Sequence, residues 1–117
     1  MKYVDGFVLA VPARNKAAYL KMAKAVAKMF RATGATRVVE AWQDNVPKGK
    51  WTDFFGAVKA RKNEKIVFAW IEWPSKKVRD AAMKRMANDP VAHSFGATMP
   101  FDGKRMIFGG FATILDA

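Results

Sequence analysis

The stretch KIVFAWIEWPS, residues Lys65–Ser75, decides the fold. Lys65–Trp73 is dominated by Ile, Val, Phe and Trp and reads as a strand. Pro74-Ser75 stops it and opens a helix, with the Ser75 hydroxyl oxygen placed to accept from a backbone N–H of the first turn. Val78, Ala82 and Met86 then recur every four residues, giving that helix one apolar face that runs to Asn88.

The same order, strand then helix, stands at the amino terminus. Tyr3–Val11 is rich in Val, Phe and Leu and stops at Pro12. From Asn15 to Thr33 the period changes: Tyr19, Met22, Ala23, Val26, Met29, Phe30 and Thr33 fall on one helical face, and Gly34 supplies a left-handed C-terminal cap. Lys21, Lys24, Lys28 and Arg31 lie opposite, with no acidic residue between Lys16 and Arg37. Arg37–Asp44 is a second strand, followed by a loop marked by Asn45, Pro47 and Gly49. Residues 51–60 fit either an extended stretch or a short helical turn. Asp89-Pro90 is expected to start a short helix ending near Phe95-Gly96, and Arg105–Leu115 is the last strand. The order β-α-β-β-α-β specifies an α+β sandwich of ferredoxin-like type with an antiparallel sheet. Residues 1–117 form a single domain without linker, repeat or low-complexity tract.

Composition narrows the function. A chain of 117 residues buries roughly two-thirds of its unfolded surface, and at 51% apolar residues it is expected to pack a core. No apolar run approaches the ~20 residues that cross a bilayer, and Gly6–Val11 behind Asp5 is too short for a signal sequence, so a cytoplasmic location is the default. The absence of cysteine excludes disulfides, thiolate catalysis and thiolate metal sites. The net charge of +11, from 21 basic and 10 acidic residues, favours anionic partners or serves solubility alone.

Alternation sorts the first strand into a small set, Val4, Gly6, Val8 and Ala10, and a larger set, Tyr3, Asp5, Phe7, Leu9 and Val11. Small residues let a helix lie close, so the small set is assigned to the helix side. The remaining face, with Tyr3, Phe7 and Leu9 joined by Phe68, Trp70 and Glu72, is still mostly apolar. Two helices cover only one face of a four-stranded sheet, so the second face is expected to pair across a two-fold axis in a homodimer.

Several motifs resemble the YbaA-like family of uncharacterised bacterial proteins. They are Tyr3-Val4-Asp5-Gly6-Phe7, Phe68-Ala69-Trp70-Ile71-Glu72, Pro74-Ser75 with Arg79-Asp80, Asp89-Pro90, and the run from Met99 to Phe111. The resemblance covers essentially the whole chain and implies a dimeric α/β barrel. It carries no known activity and transfers no catalytic residue. The wider superfamily includes cofactor-free monooxygenases, haem enzymes, stress proteins and regulators, among which fold does not choose.

The candidate pocket consists of Tyr3, Asp5, Glu40, Trp70 and Arg105. Carboxylates within strands are costly to bury unpaired, so Asp5, Glu40 and Glu72 either gather beside Trp42 and Trp70 as an acid–base cluster or pair with Arg37, Arg79 and Arg105. In the first case Asp5 or Glu40 is the base, and Arg105 holds an anionic group with its planar fork. In the second, Asp102 and Arg105 brace the turn, while Gly109-Gly110 permits a bulge or a close backbone approach. His93, the only histidine, has no carboxylate three or four residues after it, so no metal or haem is expected, and no motif calls for another cofactor. The leading expectation is a small-molecule-binding or cofactor-independent, monooxygenase-like protein. The alternative is a non-catalytic stress or interaction protein whose basic surface meets nucleic acid or an acidic partner, although the basic helix face lacks the aromatics that nucleic-acid recognition commonly uses.

Overall fold

A computed structural model describes residues 2–88 and 99–117. His93 and the short helix expected between Asp89 and Gly96 lie outside the described residues. The elements are β1 (Tyr3–Pro12), a 3-10 turn (Ala13–Asn15), α1 (Lys16–Ala32), β2 (Arg37–Trp42), α2 (Phe54–Ala57), β3 (Glu64–Trp73), α3 (Lys76–Ala87), a second 3-10 turn (Gly103–Arg105) and β4 (Ile107–Ala112). The four strands form one antiparallel sheet in the order β2-β3-β1-β4. Long β1 and β3 sit at its centre, in register from Tyr3 opposite Trp73 to Pro12 opposite Glu64.

Local chemistry sets the boundaries. Ser75 Oγ accepts from Val78 N at 3.2 Å and starts α3. Gly34 ends α1 at φ 121°, and a Cβ there would stand 2.7 Å from Val78 Cγ1, so backbone freedom and close packing on α3 both require glycine. β2 stops at Trp42, short of the expected Asp44, because the Gln43 side-chain oxygen takes the Ile66 N–H that the next ladder step would use. Residues 51–60 contain the one-turn helix α2, capped by Asp53, whose carboxylate accepts from Gly56 N at 2.6 Å and Gly49 N at 3.1 Å. β4 begins at Ile107 rather than Arg105 because Asp102 caps a 3-10 turn there through Lys104 N.

The core lies between the sheet and the pair α1–α3. Leu9, Val11, Val67 and Ala69 pack against Tyr19 and Ala23 of α1, and Ile71 and Trp73 pack against Ala82 of α3. The large set of β1 therefore faces the helices, the reverse of the sequence-based assignment. Close approach is achieved by alanines on the helices, Ala23 and Ala82, so the strand contributes the bulk that fills the layer.

The small residues Val4, Gly6 and Val8 lie on the other face with Phe68 and Trp70 of β3 and Ile107 and Phe111 of β4. One end of that face is covered by α2 and the turn after it, where Val58 is buried with Ala10 and Ile66. The rest forms an apolar groove of about 470 Å³. Phe111 lies across Gly6 and Gly109, which have no side chain to lift it off the sheet.

Candidate functional site

Each sequence-predicted site residue has a definite place, and the five do not converge. Asp5 is 3% exposed on β1. It accepts from Trp73 Nε1 at 2.8 Å and from Arg79 through Nε and Nη2, the latter at 2.9 Å. Arg79 also lies over the Tyr3 ring, 5.4 Å from its centroid, and is held strongly protonated by Asp5 and Asp80. Tyr3, Asp5, Trp73 and Arg79 thus form an internally paired cluster joining β1, β3 and α3. The ring of Tyr3 packs so tightly on Gly110 that a Cβ there would meet its hydroxyl, so the Gly-Gly pair serves close approach and the β1–β4 ladder runs without a bulge.

Arg105 is committed elsewhere. Its Nη1 and Nη2 donate to Glu64 at 2.8 and 2.7 Å, its Nε to Asp102 at 3.0 Å, and Nη1 also to Lys59 O at 2.9 Å. The guanidinium hydrogen bonds hold Glu64 and Asp102 below the usual carboxylate range. This brace fixes the turn before β4 to the start of β3 and leaves little of the fork for a ligand anion.

Trp70 lies on the opposite face from Asp5 and Glu40, as the register requires. Its Nε1 donates to Glu72 at 2.9 Å, and Glu72 also pairs with Arg37 at 3.5 Å. Of the three strand carboxylates, Asp5 and Glu72 are ion-paired with Arg79 and Arg37, and Glu72 does not share a space with the other two.

Glu40 differs from both. Among the described residues it has no basic partner; Tyr19 Oη donates to its Oε1 at 2.5 Å. Tyr19 is buried on α1, and Glu40 stands on the edge strand β2 with its outer side open to water. Partial loss of water pushes the Glu40 carboxyl above the usual range, opposed by the phenol hydrogen bond. Burial, then the bond to Glu40, keeps the Tyr19 phenol protonated well beyond its ordinary range.

The pair borders a cavity of about 200 Å³ between α1, the helix side of the sheet and the segment around Phe101 and Met106. Leu9, Met22, Val26 and Phe30 make the wall apolar, and β3 forms one side at Trp70. Glu40 and Tyr19 are its only charged or hydroxylated lining residues among those described.

Sequence reasoning found Glu40 but placed Tyr19 only on the apolar face of α1. The available signal was the phenol itself, since a buried tyrosine hydroxyl needs an acceptor. The described residues contain no group of three or more His, Cys, Asp or Glu arranged to hold a metal, and no helix long and apolar enough to cross a membrane.

The strand order, with α1 and α3 on one side, defines a ferredoxin-like α+β protein. A solved structure, that of Rv0793 from Mycobacterium tuberculosis, matches with a TM-score of 0.56 over 100% of this chain and 99% of that one. At 11% identity the likeness shows fold alone. Residues 2–103 match the family described as "Protein of unknown function (DUF1428)", and the chain belongs to that family. It is 60% identical over 116 residues, 99% of each chain, to the "Uncharacterized protein YbaA" of Escherichia coli K12, with the same figures for the proteins of that name from Escherichia coli O157:H7 and Shigella flexneri. The family resemblance read from the motifs is borne out.

Proposed function

We propose that this protein binds a small, largely apolar molecule in the cavity beneath α1, with Glu40 and Tyr19 as its polar handle. The carrying observation is a carboxylate of raised proton affinity, bonded to a neutral phenol, on the wall of an apolar cavity. Engineered apolar cavities of about 150 Å³ admit benzene, so about 200 Å³ suits one substituted ring or a molecule of that size. A ligand O–H or an acidic C–H directed at Glu40 matches the one carboxylate among the described lining residues. Proton removal by Glu40 needs no cofactor and is the chemistry this pair supports. The oxygenase-like form, in which the deprotonated ligand passes electrons to dioxygen, rests on superfamily analogy alone.

The protein also pairs with a second copy through the open sheet face in this reading. Phe68, Ile107 and Phe111 are exposed there beside the glycine-floored groove, and an apolar surface of this kind is removed from water by its own two-fold copy. The helix side, with the Glu40 cavity, then faces away from the seam.

The test is a thermal-shift and calorimetric series with monocyclic phenols and small enolisable ketones, on wild type and Glu40→Gln. Binding by at least one class, weakened about ten-fold or more in Glu40→Gln (about 1.4 kcal/mol), supports the proposal. Absence of binding across both classes, or equal binding by the variant, refutes it.

A further inference from the structure

Charge in this protein is sorted by layer. α1 and α3 lie on the same side of the sheet: Phe30 of α1 and Ala82 of α3 both pack around Trp73, and Gly34 at the end of α1 touches Val78. Outward on α1 stand Lys21, Lys24, Lys28 and Arg31, all exposed. Outward on α3 stand Lys76, Lys77, Lys84 and Arg85, also exposed. The two helices hold ten basic residues against one acidic, Asp80, and so carry +9 of the chain's net +11. Asp80 is taken by Arg79, and none of the eight outward cations forms an ion pair among the described residues.

This arrangement is unfavourable in the free protein. Like charges three and four residues apart on one helix repel. Lys76 and Lys77 also stand at the positive end of the α3 dipole, with no acidic residue in that first turn. A bound polyanion reverses the sign of both effects.

The chemistry of the surface narrows which polyanion. Neither helix exposes an aromatic side chain: Tyr19 is buried and Phe30 half-buried, so unpaired bases find no stacking platform. Apart from Leu20, the large apolar residues of both helices are turned at least partly inward, leaving little to insert into a bilayer. What remains is a rigid row of cations on α1, about 15 Å from Lys21 to Arg31 at 1.5 Å per residue. That length covers about four steps of a duplex rising 3.4 Å each.

We infer that the α1–α3 surface binds the phosphate backbone of a nucleic-acid duplex without reading its sequence. The inference is independent of the Glu40 cavity, and pairing through the sheet leaves the surface outward on both copies.

The test is fluorescence anisotropy with a labelled 24-base-pair duplex of arbitrary sequence, measured from 50 to 200 mM salt. The expected result is a dissociation constant of about 1–100 µM at 150 mM salt, with a log–log salt slope of about −3 to −4, as four phosphate contacts give. Lys21→Gln/Lys24→Gln/Lys28→Gln is expected to weaken binding about ten-fold or more and to flatten that slope by about 2–3. The control Lys48→Gln/Lys50→Gln/Lys62→Gln removes the same charge from loops outside the helix layer and is expected to bind within about two-fold of wild type. These are exposed positions, and circular dichroism melts verify that both variants fold. Absence of binding at 50 mM salt overturns the inference, as does an equal loss in the control. Binding to phosphatidylglycerol vesicles at least as tight as to the duplex also overturns it.

Discussion

At the residue scale, three carboxylates in similar strand contexts have different environments, and each difference is measurable. Glu40 holds its proton more tightly when folded than when unfolded. Its stabilising contribution is therefore complete below the unfolded value near 4.5 and is lost as pH rises through the folded value. Glu40→Gln, which stays neutral, is expected to gain melting temperature relative to wild type between pH 4 and pH 7. Glu64 has the opposite sign, because Arg105 lowers its folded value. Its contribution is complete above pH 4.5 and fades as pH falls through that lower folded value. Arg105→Ala is expected to cost about 2 kcal/mol at neutral pH, below the figure for a fully buried pair because the site lies against the surface. The deficit shrinks in acid, as denaturant melts at pH 3 and pH 7 will read. Asp5 lies deepest, so Asp5→Ala leaves Trp73 Nε1 without its acceptor and Arg79 without its main partner. The expected loss is about 3–5 kcal/mol, with ligand affinity of the surviving folded protein unchanged.

At the scale of elements, glycine placement and side-chain capping account for most boundaries. Gly34→Ala introduces a positive-φ alanine whose methyl group collides with Val78. It is expected to cost more than about 1 kcal/mol, loosening α1 against α3 before it affects the sheet. Native-state hydrogen exchange along Met29–Thr33 checks this. The regular elements were legible because hydrophobic period, Pro12, Gly34 and Ser75 all act locally. The end of β2 was not, because Gln43 acts on Ile66, more than twenty positions away, and the start of β4 was not, because the turn that Asp102 caps before it is braced by Arg105 onto Glu64, 41 positions away. The facing of β1 was misread for a related reason. Either face of an alternating apolar strand meets the helices equally well in one dimension, and the alanines that permit close approach sit on α1 and α3. Of the candidate pocket, only Glu40 retained its predicted character as a carboxylate beside an aromatic-lined space. Asp5 and Arg105 were recognisable as polar groups needing partners, but which partner each takes is a property of the packed fold.

At the scale of the whole molecule, the chain is a slab 38 × 36 × 20 Å with three chemically distinct zones. One sheet face is apolar, the outer helix layer is basic, and the Glu40–Tyr19 cavity lies between helices and sheet. Pairing through the apolar face predicts a particle of twice 13.1 kDa by light scattering at micromolar concentration. Phe111→Lys is expected to return it to the monomer without unfolding it, since Phe111 is exposed. A wild-type mass of 13.1 kDa contradicts the pairing. The cavity is tested most directly by NMR on methyl-labelled methionine and carboxyl-labelled glutamate during titration with a monocyclic phenol. The expected result is saturable shifts of the Met22 and Met106 methyls, together with a displaced titration midpoint of Glu40 that begins above the ordinary glutamate value. Unmoved methyls, or a Glu40 midpoint at or below that of a free glutamate, contradict a ligand site built on this pair.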